Sequence, residues 1–261
     1  IYSEFKKLKL ISNKNLIKFH NRTRDKKISV YKDIRSKIIF LEKFITSNKY
    51  YSSLKYGDDD IKEIKKIKKF NNIKTLSGSV KTTILEDDIR RARMFQNIIK
   101  NKDLLDFGCG WGGFLRCLKK AKSFNGVELR KENIDYIKKS LKKIKITDNI
   151  NSFKNNFDII TLFHVLEHMP HQVKILKLLK SKLKKKGKII IEVPHAEDFL
   201  ILQDGLKEFR DFTFWSEHLI LHTYKSLKKV LTKAGFKKIK ISFYQRYNIC
   251  NHLGWFLKKK P

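Results

Sequence analysis

The segment Asp106-Phe107-Gly108-Cys109-Gly110-Trp111-Gly112-Gly113 contains four of the eleven glycines, all between positions 108 and 113. Residues 104–107, which lead into it, predict a buried strand, and residues 114–120 predict a helix. Glycine lets the backbone approach a ligand closely and adopt a positive φ, and a helix that starts there presents free N–H groups. The stretch therefore predicts a strand, a ligand-binding loop and a helix in succession.

Strands and helices alternate on both sides of this loop. A helix begins at the acidic residues 86–88, and Gly235 ends the last helix of the series. The predicted strands are residues 104–107, 124–129, 144–147, 157–163 and 188–193, followed by a closing strand pair at residues 236–243 and 247–257. The predicted helices between them are residues 114–120, 133–143, 170–183 and 224–234. The alternation indicates an α/β fold whose seven-stranded sheet is mostly parallel and carries helices on both faces.

The residues before position 86 give mixed signals. Residues 28–31 and 37–41 predict a short hairpin, and residues 61–70 repeat Ile at helical spacing. We therefore predict a small N-terminal α+β extension over residues 1–85, which is a candidate cap. The main domain is predicted over residues 86–261.

The chain is strongly basic, with a net charge of +34. Clustered Lys and Arg bind phosphates, but Arg is the residue suited to bidentate phosphate and base recognition, and it accounts for only ten of the 60 basic residues. The Lys residues are also spread along the whole chain. We favour a solvated basic surface that attracts an anionic acceptor, while a nucleic-acid partner stays an open and less favoured alternative.

The cysteines and the apolar stretches bear on the cellular compartment. Three cysteines without a C-x-x-C pair argue against a disulfide framework or a structural zinc site and favour a reducing cytoplasm. No uninterrupted apolar stretch reaches the roughly 18 residues that span a bilayer. We therefore expect a cytoplasmic chain without a transmembrane segment, and the sequence leaves its oligomeric state open.

The glycine loop permits two kinds of nucleotide ligand. Gly108-x-Gly110-x-x-Gly113 matches a dinucleotide fingerprint, with Glu128 about twenty residues on for a ribose hydroxyl. Asp106 separates the two interpretations, because a carboxylate at this position repels the pyrophosphate of a dinucleotide. A ligand that carries an ammonium group and no phosphate is favoured instead.

Three stretches resemble the cofactor motifs of class I S-adenosylmethionine-dependent methyltransferases. Asp106-x-Gly108-x-Gly110-x-Gly112 resembles the first motif, Gly126-Val127-Glu128-Leu129 resembles the acidic end of the second strand, and Asp148-Asn149 resembles the adenine-contacting pair. With residues 157–168 and 222–236 the similarity covers residues 86–243. The resemblance implies a Rossmann-like fold and S-adenosylmethionine as cofactor, bound by Asp106, Gly108, Cys109, Gly110, Gly112, Glu128, Leu129, Asp148, Asn149 and Phe163.

The resemblance also bears on the methyl acceptor. Residues 157–168 are similar to small-molecule members of the family, and the overall pattern resembles enzymes of sugar and cell-surface glycan biosynthesis, with quinone-type acceptors left open. Amino-methylating nucleic-acid enzymes carry Asp or Asn followed by Pro-Pro after the fourth strand, and this chain has Phe163-His164-Val165-Leu166 there. An RNA methyltransferase, or a catalytically silent basic nucleic-acid-binding protein, remains the alternative.

Histidines and aromatic residues gather late in the chain. In an open α/β sheet the ligand crevice lies at the carboxyl ends of the strands, where His164 and His195 are predicted, and either could act as general base toward a hydroxyl. Residues 194–222 are long for a connection and predict an insertion that either binds the acceptor or packs on the domain. Trp215, His218 and Tyr31 are the predicted acceptor contacts.

The segment His164-Val165-Leu166-Glu167-His168 also matches the inverted zinc-protease pattern H-x-x-E-H. That chemistry needs both histidines on one helix face, whereas this motif begins at the end of a predicted strand. We therefore expect no metalloprotease site and no metal, and a looser divalent-metal role for Glu167 and His168 stays a less favoured alternative.

Overall fold

The computed structural model describes residues 2–44 and 83–260. These residues form two compact units, which are described one at a time. The glycine-loop unit contains residues 83–163 and 182–190, and the histidine unit contains residues 2–44, 164–181 and 191–260. The helix predicted over residues 61–70 lies outside the described residues, and the domain division at residue 85 stays a prediction.

The elements are numbered in chain order. The helices are α1 Tyr2–Lys7, α2 Thr83–Ile99, α3 Gly113–Cys117, α4 Lys131–Ser140, α5 Gln172–Ser181, α6 Phe199–Leu202, α7 Lys207–Thr213, α8 Tyr224–Lys233 and α9 Ile249–Lys258. The strands are β1 Leu16–His20, β2 Val30–Asp33, β3 Ile39–Leu41, β4 Asp103–Phe107, β5 Ser123–Val127, β6 Ile144–Thr147, β7 Phe157–Phe163, β8 Leu183–Glu192 and β9 Ile220–Leu221. Within the described residues, no helix has both the length and the apolar character needed to cross a membrane.

The glycine-loop unit is built on a five-stranded sheet in the order β6-β5-β4-β7-β8. The pairs β5–β6, β4–β5 and β4–β7 are parallel, and Asp106 lies beside Gly126 on one side and Thr161 on the other. Leu105 and Ile160 are fully buried, as expected for the central strands of a sheet covered on both faces. The described residues therefore form an α/β fold with a parallel sheet, but this sheet has five strands and not the predicted seven.

Helix α2 precedes the first strand of this sheet. It contains the predicted acidic first turn, and Ala92 and Ile99 are buried on its inner face. Met94 and Ile98, which belong to the same apolar pattern, are about half exposed. The helix prediction is confirmed, whereas the apolar face that packs is narrower than the sequence pattern suggests.

The histidine unit contains an antiparallel sheet in the order β1-β2-β3-β9. The predicted hairpin is confirmed by β2 and β3, and Phe40 pairs with Ile220 on β9 from far along the chain. Just after β9, Thr223 caps α8 by accepting a bond from the backbone N–H of Ser226. The sheet thus brings the N-terminal residues together with the segment that contains several late histidines.

The predicted closing strand pair is wrong. Residues 236–243 form no strand, and most of residues 247–257 lie in α9, whose first turn is capped by the side chain of Asn248. The physical reason is that a helix buries Trp255 against the rings of Phe209 and Phe212. The strand predicted over residues 188–193 is also different in length. It is β8, which begins at Leu183, two residues after the end of α5, and ends at Glu192.

Candidate active site

The glycine loop follows β4 and leads into α3. Gly108, Gly110 and Gly112 have φ angles of 76°, 54° and 82°, values that side-chain-bearing residues rarely adopt. Gly113 has no room for a side chain, because the Asp88 carboxylate and the Trp111 ring lie against its α-carbon. The cluster of glycines is therefore required by the backbone path of the loop and by close packing at its end.

Gly110 differs from its neighbours in what surrounds it. A β-carbon built on Gly110 has no atom within 4 Å, whereas one built on Gly112 meets side-chain atoms of Leu141 and Ile137 at 3.1 and 3.3 Å. Gly112 is thus needed for packing within the protein. Gly110 borders open space, so the loop forms a cradle that a ligand could enter.

The Glu128 side chain, just after β5, is hydrogen-bonded to the backbone of this loop. Its Oε2 accepts a bond of 2.8 Å from the backbone N–H of Gly110, and its Oε1 accepts bonds of 2.8 and 2.9 Å from those of Leu129 and Arg130. A carboxylate has about four acceptor positions, so a half-buried Glu128 can still accept from a ligand hydroxyl. Glu128 therefore holds the loop in place and keeps acceptor capacity beside it.

Asp106 points into the protein and is only 3% exposed. Its Oδ1 accepts a bond of 2.7 Å from the Thr161 hydroxyl on the neighbouring strand β7. Burial is the main cause that raises the pKa of Asp106 to about 7; the Thr161 bond and the Arg91 charge oppose this shift, and the Glu128 charge adds to it. The bond to Thr161 joins β4 to β7 through the Asp106 side chain.

Helix α2 contributes two charged residues that the sequence analysis missed. Asp88 lies against Gly113, and burial raises its pKa to about 7 despite the Arg91 guanidinium 4.0 Å away. The same guanidinium lies 4.9 Å above the ring of Phe163, the last residue of β7. The available signal was the helical spacing of Asp88 and Arg91, which places them on one face.

The remaining predicted cofactor residues differ in accessibility. Cys109 is buried, and burial raises the pKa of its thiol well above the usual value, so it is a packing residue rather than a nucleophile. Asp148 is exposed, and Asn149 caps the short 3-10 helix Ile150–Ser152 by accepting from the Asn151 backbone N–H. Leu129 is half-buried beside Glu128.

His164 opens the histidine unit directly after β7. It has a φ of 54°, its Nδ1 lies 3.1 Å from Oε1 of Glu167, and its Nε2 lies 3.5 Å from Oε1 of Glu192. The His164 side chain is 36% exposed, whereas Glu167 is fully buried. Burial alone would raise the pKa of Glu167, but the bond from His164 and the nearby histidine charges lower it to about 2.

His195 has a different environment. It forms an isolated bridge with His222, and the ring of Phe243 lies 4.9 Å from its own ring. Its Nε2 is inaccessible and 4.0 Å from Oε2 of Glu197. Burial lowers the pKa of His195, which favours the neutral imidazole.

The three predicted acceptor contacts lie in three settings. Trp215 packs under the guanidinium of Arg24 at 4.5 Å, and Tyr31 on β2 stacks against Phe40. The backbone N–H of His218 donates to the carbonyl of Trp215, which places these two in one turn. Burial and then the charge of His168 lower the pKa of His218 to about 3.

The insertion over residues 194–222 folds into α6, α7 and β9. Phe209 and Phe214 are buried within the histidine unit, where Phe209 contacts Trp255 and Phe214 contacts His20. These two aromatic residues therefore pack the insertion against the rest of the histidine unit. Phe199 is more than half exposed.

Comparison with known proteins gives a family for this chain. Residues 85–241, more than half of the chain, match the model of a methyltransferase domain family. A solved S-adenosylmethionine-dependent methyltransferase from Archaeoglobus fulgidus superposes with a TM-score of 0.51 at 24% identity, over 64% of this chain and 75% of that one. That likeness supports the fold.

Two curated relatives match part of the chain. A tRNA U34 carboxymethyltransferase of Nautilia profundicola is 28% identical over 54% of this chain and 50% of the relative. A ubiquinone biosynthesis O-methyltransferase of Coxiella burnetii is 28% identical over 43% of this chain and 53% of the relative. The chain thus spans about half the length of the curated relatives that it matches.

Proposed function

The chain belongs to the methyltransferase domain family, and on this premise we propose that it transfers a methyl group from S-adenosylmethionine to a hydroxyl group of a small-molecule acceptor. The observation that carries the proposal is the bond from the Gly110 backbone to Glu128, beside the open space at Gly110. This arrangement places open space for a cofactor beside a carboxylate that can accept hydrogen bonds from the ribose hydroxyls of that cofactor.

The residues of the glycine-loop unit fit this cofactor. S-adenosylmethionine supplies a methyl group on positively charged sulfur, which is already activated for in-line displacement. Glu128 is proposed to accept from the ribose hydroxyls, with each charge-assisted bond contributing about 1.5–3 kcal/mol. The backbone at Gly108, Gly110 and Gly112 is proposed to line the methionine end, and Asp148 with Asn149 the adenine.

The acceptor hydroxyl loses its proton when its oxygen takes the methyl group. We propose His164 or His195 as the residue that receives this proton, because a neutral imidazole accepts protons near neutral pH. The partial exposure of His164 supports it as the first candidate, since the Nε2 of His195 is covered. Replacing each by Gln and measuring turnover at saturating acceptor tests the proposal, and wild-type rates for both variants would refute it.

The acceptor class is the finer part of the proposal. We propose a sugar or glycan precursor, and the net charge of +34 supports an acceptor that carries a negative group. The O-methyltransferase relative supports transfer to oxygen, whereas the tRNA-acting relative and the basic charge favour RNA as the second candidate. Transfer of a labelled methyl group into a fractionated extract separates the two, because ribonuclease removes the label only from an RNA product.

Cofactor binding is the first step to test. Calorimetry with S-adenosylmethionine should show binding by the wild-type chain and strong weakening by Glu128→Ala. Glu132→Ala is the matched control, because Glu132 is an exposed residue in the first turn of α4. If the wild-type chain does not bind, the enzymatic interpretation fails; if both variants bind equally, the proposed role of Glu128 fails.

A further inference from the structure

A cluster of three potential metal ligands lies within the histidine unit. Glu167 and His168 belong to the 3-10 helix Leu166–His168, and His218 comes from the turn before β9. Each offers one ligand atom, and these atoms all lie within 4.8 Å of one another. The His168 and His218 rings are 5.0 Å apart, centre to centre, and nearly perpendicular.

The Glu167 carboxylate gives independent support for a bound ion. Glu167 is fully buried, and its Oε1 is engaged by the Nδ1 of His164 at 3.1 Å. Its Oε2 is buried and has no hydrogen-bond partner among the described residues. A buried carboxylate oxygen without a partner is rare in proteins, and a bound cation would satisfy it.

We propose that Glu167, His168 and His218 bind a divalent transition-metal ion, with Zn²⁺ as the best match. Two imidazoles and one carboxylate are a typical zinc set, whereas Mg²⁺ and Ca²⁺ prefer oxygen ligands. Around a tetrahedral zinc ion the ligand atoms lie roughly 3.3 Å apart, given bonds of about 2.0–2.2 Å. The three ligand atoms lie within 4.8 Å of one another, so metal binding requires them to move closer together.

Two neighbouring residues complete the arrangement. The Nδ1 of His164 engages Oε1 of Glu167 and leaves Oε2 as the carboxylate oxygen available to an ion. Glu217 has its Oε2 4.0 Å from the Nδ1 of His168 and can orient that ring. Such outer-shell partners fix the position of the ligands, and their removal weakens metal binding about 10–100-fold. From the sequence no metal was expected, because the H-x-x-E-H pattern alone does not show that His218 lies beside Glu167 and His168.

The ligand set leaves one position open on a tetrahedral ion. That position takes an oxygen donor, either water or the hydroxyl of the acceptor, and the second of these rests on the proposed function. Metal binding itself does not depend on methyl transfer. The two proposals can therefore fail separately.

The test uses the full chain after treatment with a chelator. Zn²⁺ is titrated by calorimetry, and Co²⁺ is added to a second sample to record its visible absorption, which reports the ligand geometry. The variants are Glu167→Gln, His218→Ala and His164→Gln, and His171→Ala is the matched control because His171 is exposed. Circular dichroism confirms that each variant is folded.

The wild-type chain and His171→Ala should each bind one ion and give a tetrahedral Co²⁺ spectrum. Glu167→Gln and His218→Ala should lose this binding, and His164→Gln should weaken it about 10–100-fold. The proposal is overturned if the wild-type chain binds no Zn²⁺, or if folded Glu167→Gln and His218→Ala bind as tightly as wild type. A chain that binds S-adenosylmethionine but no metal overturns this proposal and leaves the proposed function standing.

Discussion

The substitution Gly110→Ala should lower both the stability of the chain and its affinity for the cofactor, and the two effects have different physical causes. The φ of 54° places Gly110 in the left-handed region, where an L-residue with a side chain is disfavoured by about 1–2 kcal/mol. The new methyl group meets no protein atom within 4 Å, so no further steric penalty arises in the free chain. We therefore expect the free energy of unfolding to fall by about 1–2 kcal/mol.

Cofactor binding should respond more strongly to the same change. The methyl group projects into the space proposed for the methionine end of S-adenosylmethionine, so affinity should fall at least about tenfold, equivalent to about 1.4 kcal/mol. Urea unfolding measures the first effect and calorimetry the second. Gly205→Ala is the control, because Gly205 also faces open space, lacks a positive φ and should change stability by less than about 0.5 kcal/mol. Wild-type affinity in Gly110→Ala would refute the assignment of this space to the cofactor.

Three further substitutions test the packing of charged and polar groups. Thr161→Val removes the hydroxyl that donates to buried Asp106 and should lower the free energy of unfolding by about 1–3 kcal/mol in urea titrations; unchanged stability would contradict this. Burial raises the pKa of Asp106 to about 7, so between about pH 4 and about pH 7 the folded chain keeps a proton that the unfolded chain loses, and stability falls as pH rises. Asp106→Asn should reduce this fall when unfolding is compared at about pH 5 and about pH 8, and Asp88, whose pKa is also raised to about 7, accounts for part of the fall that remains; an unchanged slope would count against the assignment. Gln172→Leu leaves the Nε2 of His222 and the carbonyl of Leu166 without their buried partner, so thermal unfolding should show a loss of about 1–3 kcal/mol per group, whereas an equal melting temperature would show that water replaces it.

The sequence predicted the glycine-loop unit well because its signals are local. Strands β6 and β7 have the predicted bounds: β6 alternates apolar and polar residues, and β7 is a short, mostly apolar run of a length typical of strands. The four-stranded sheet was out of reach, because the pairing of Phe40 with Ile220 depends on contacts between distant parts of the chain. Residues 247–257 were misassigned, because β-branched and aromatic residues there suit a strand until the burial of Trp255 is known.

Only part of the candidate site was predicted from the sequence, because only its local features leave a signal there. Glu128 is where the motif spacing put it, but its bond to the Gly110 backbone depends on how the loop folds back. Asp106 was expected to face the ligand, and its side chain accepts a bond from Thr161 on the neighbouring strand. Asp88 is distant in sequence from Gly113, and His218 is distant from Glu167, so only the folded chain brings each pair together.

The most direct test of the central claim is a crystal structure of the full chain with S-adenosylhomocysteine, the product of methyl transfer. Electron density is expected beside Gly110, with the ribose hydroxyls within hydrogen-bond distance of the Glu128 carboxylate and the methionine portion along the glycine loop. The bond from the Gly110 backbone to Glu128 should persist in the complex. Density at another place, with the space at Gly110 still open, would contradict it.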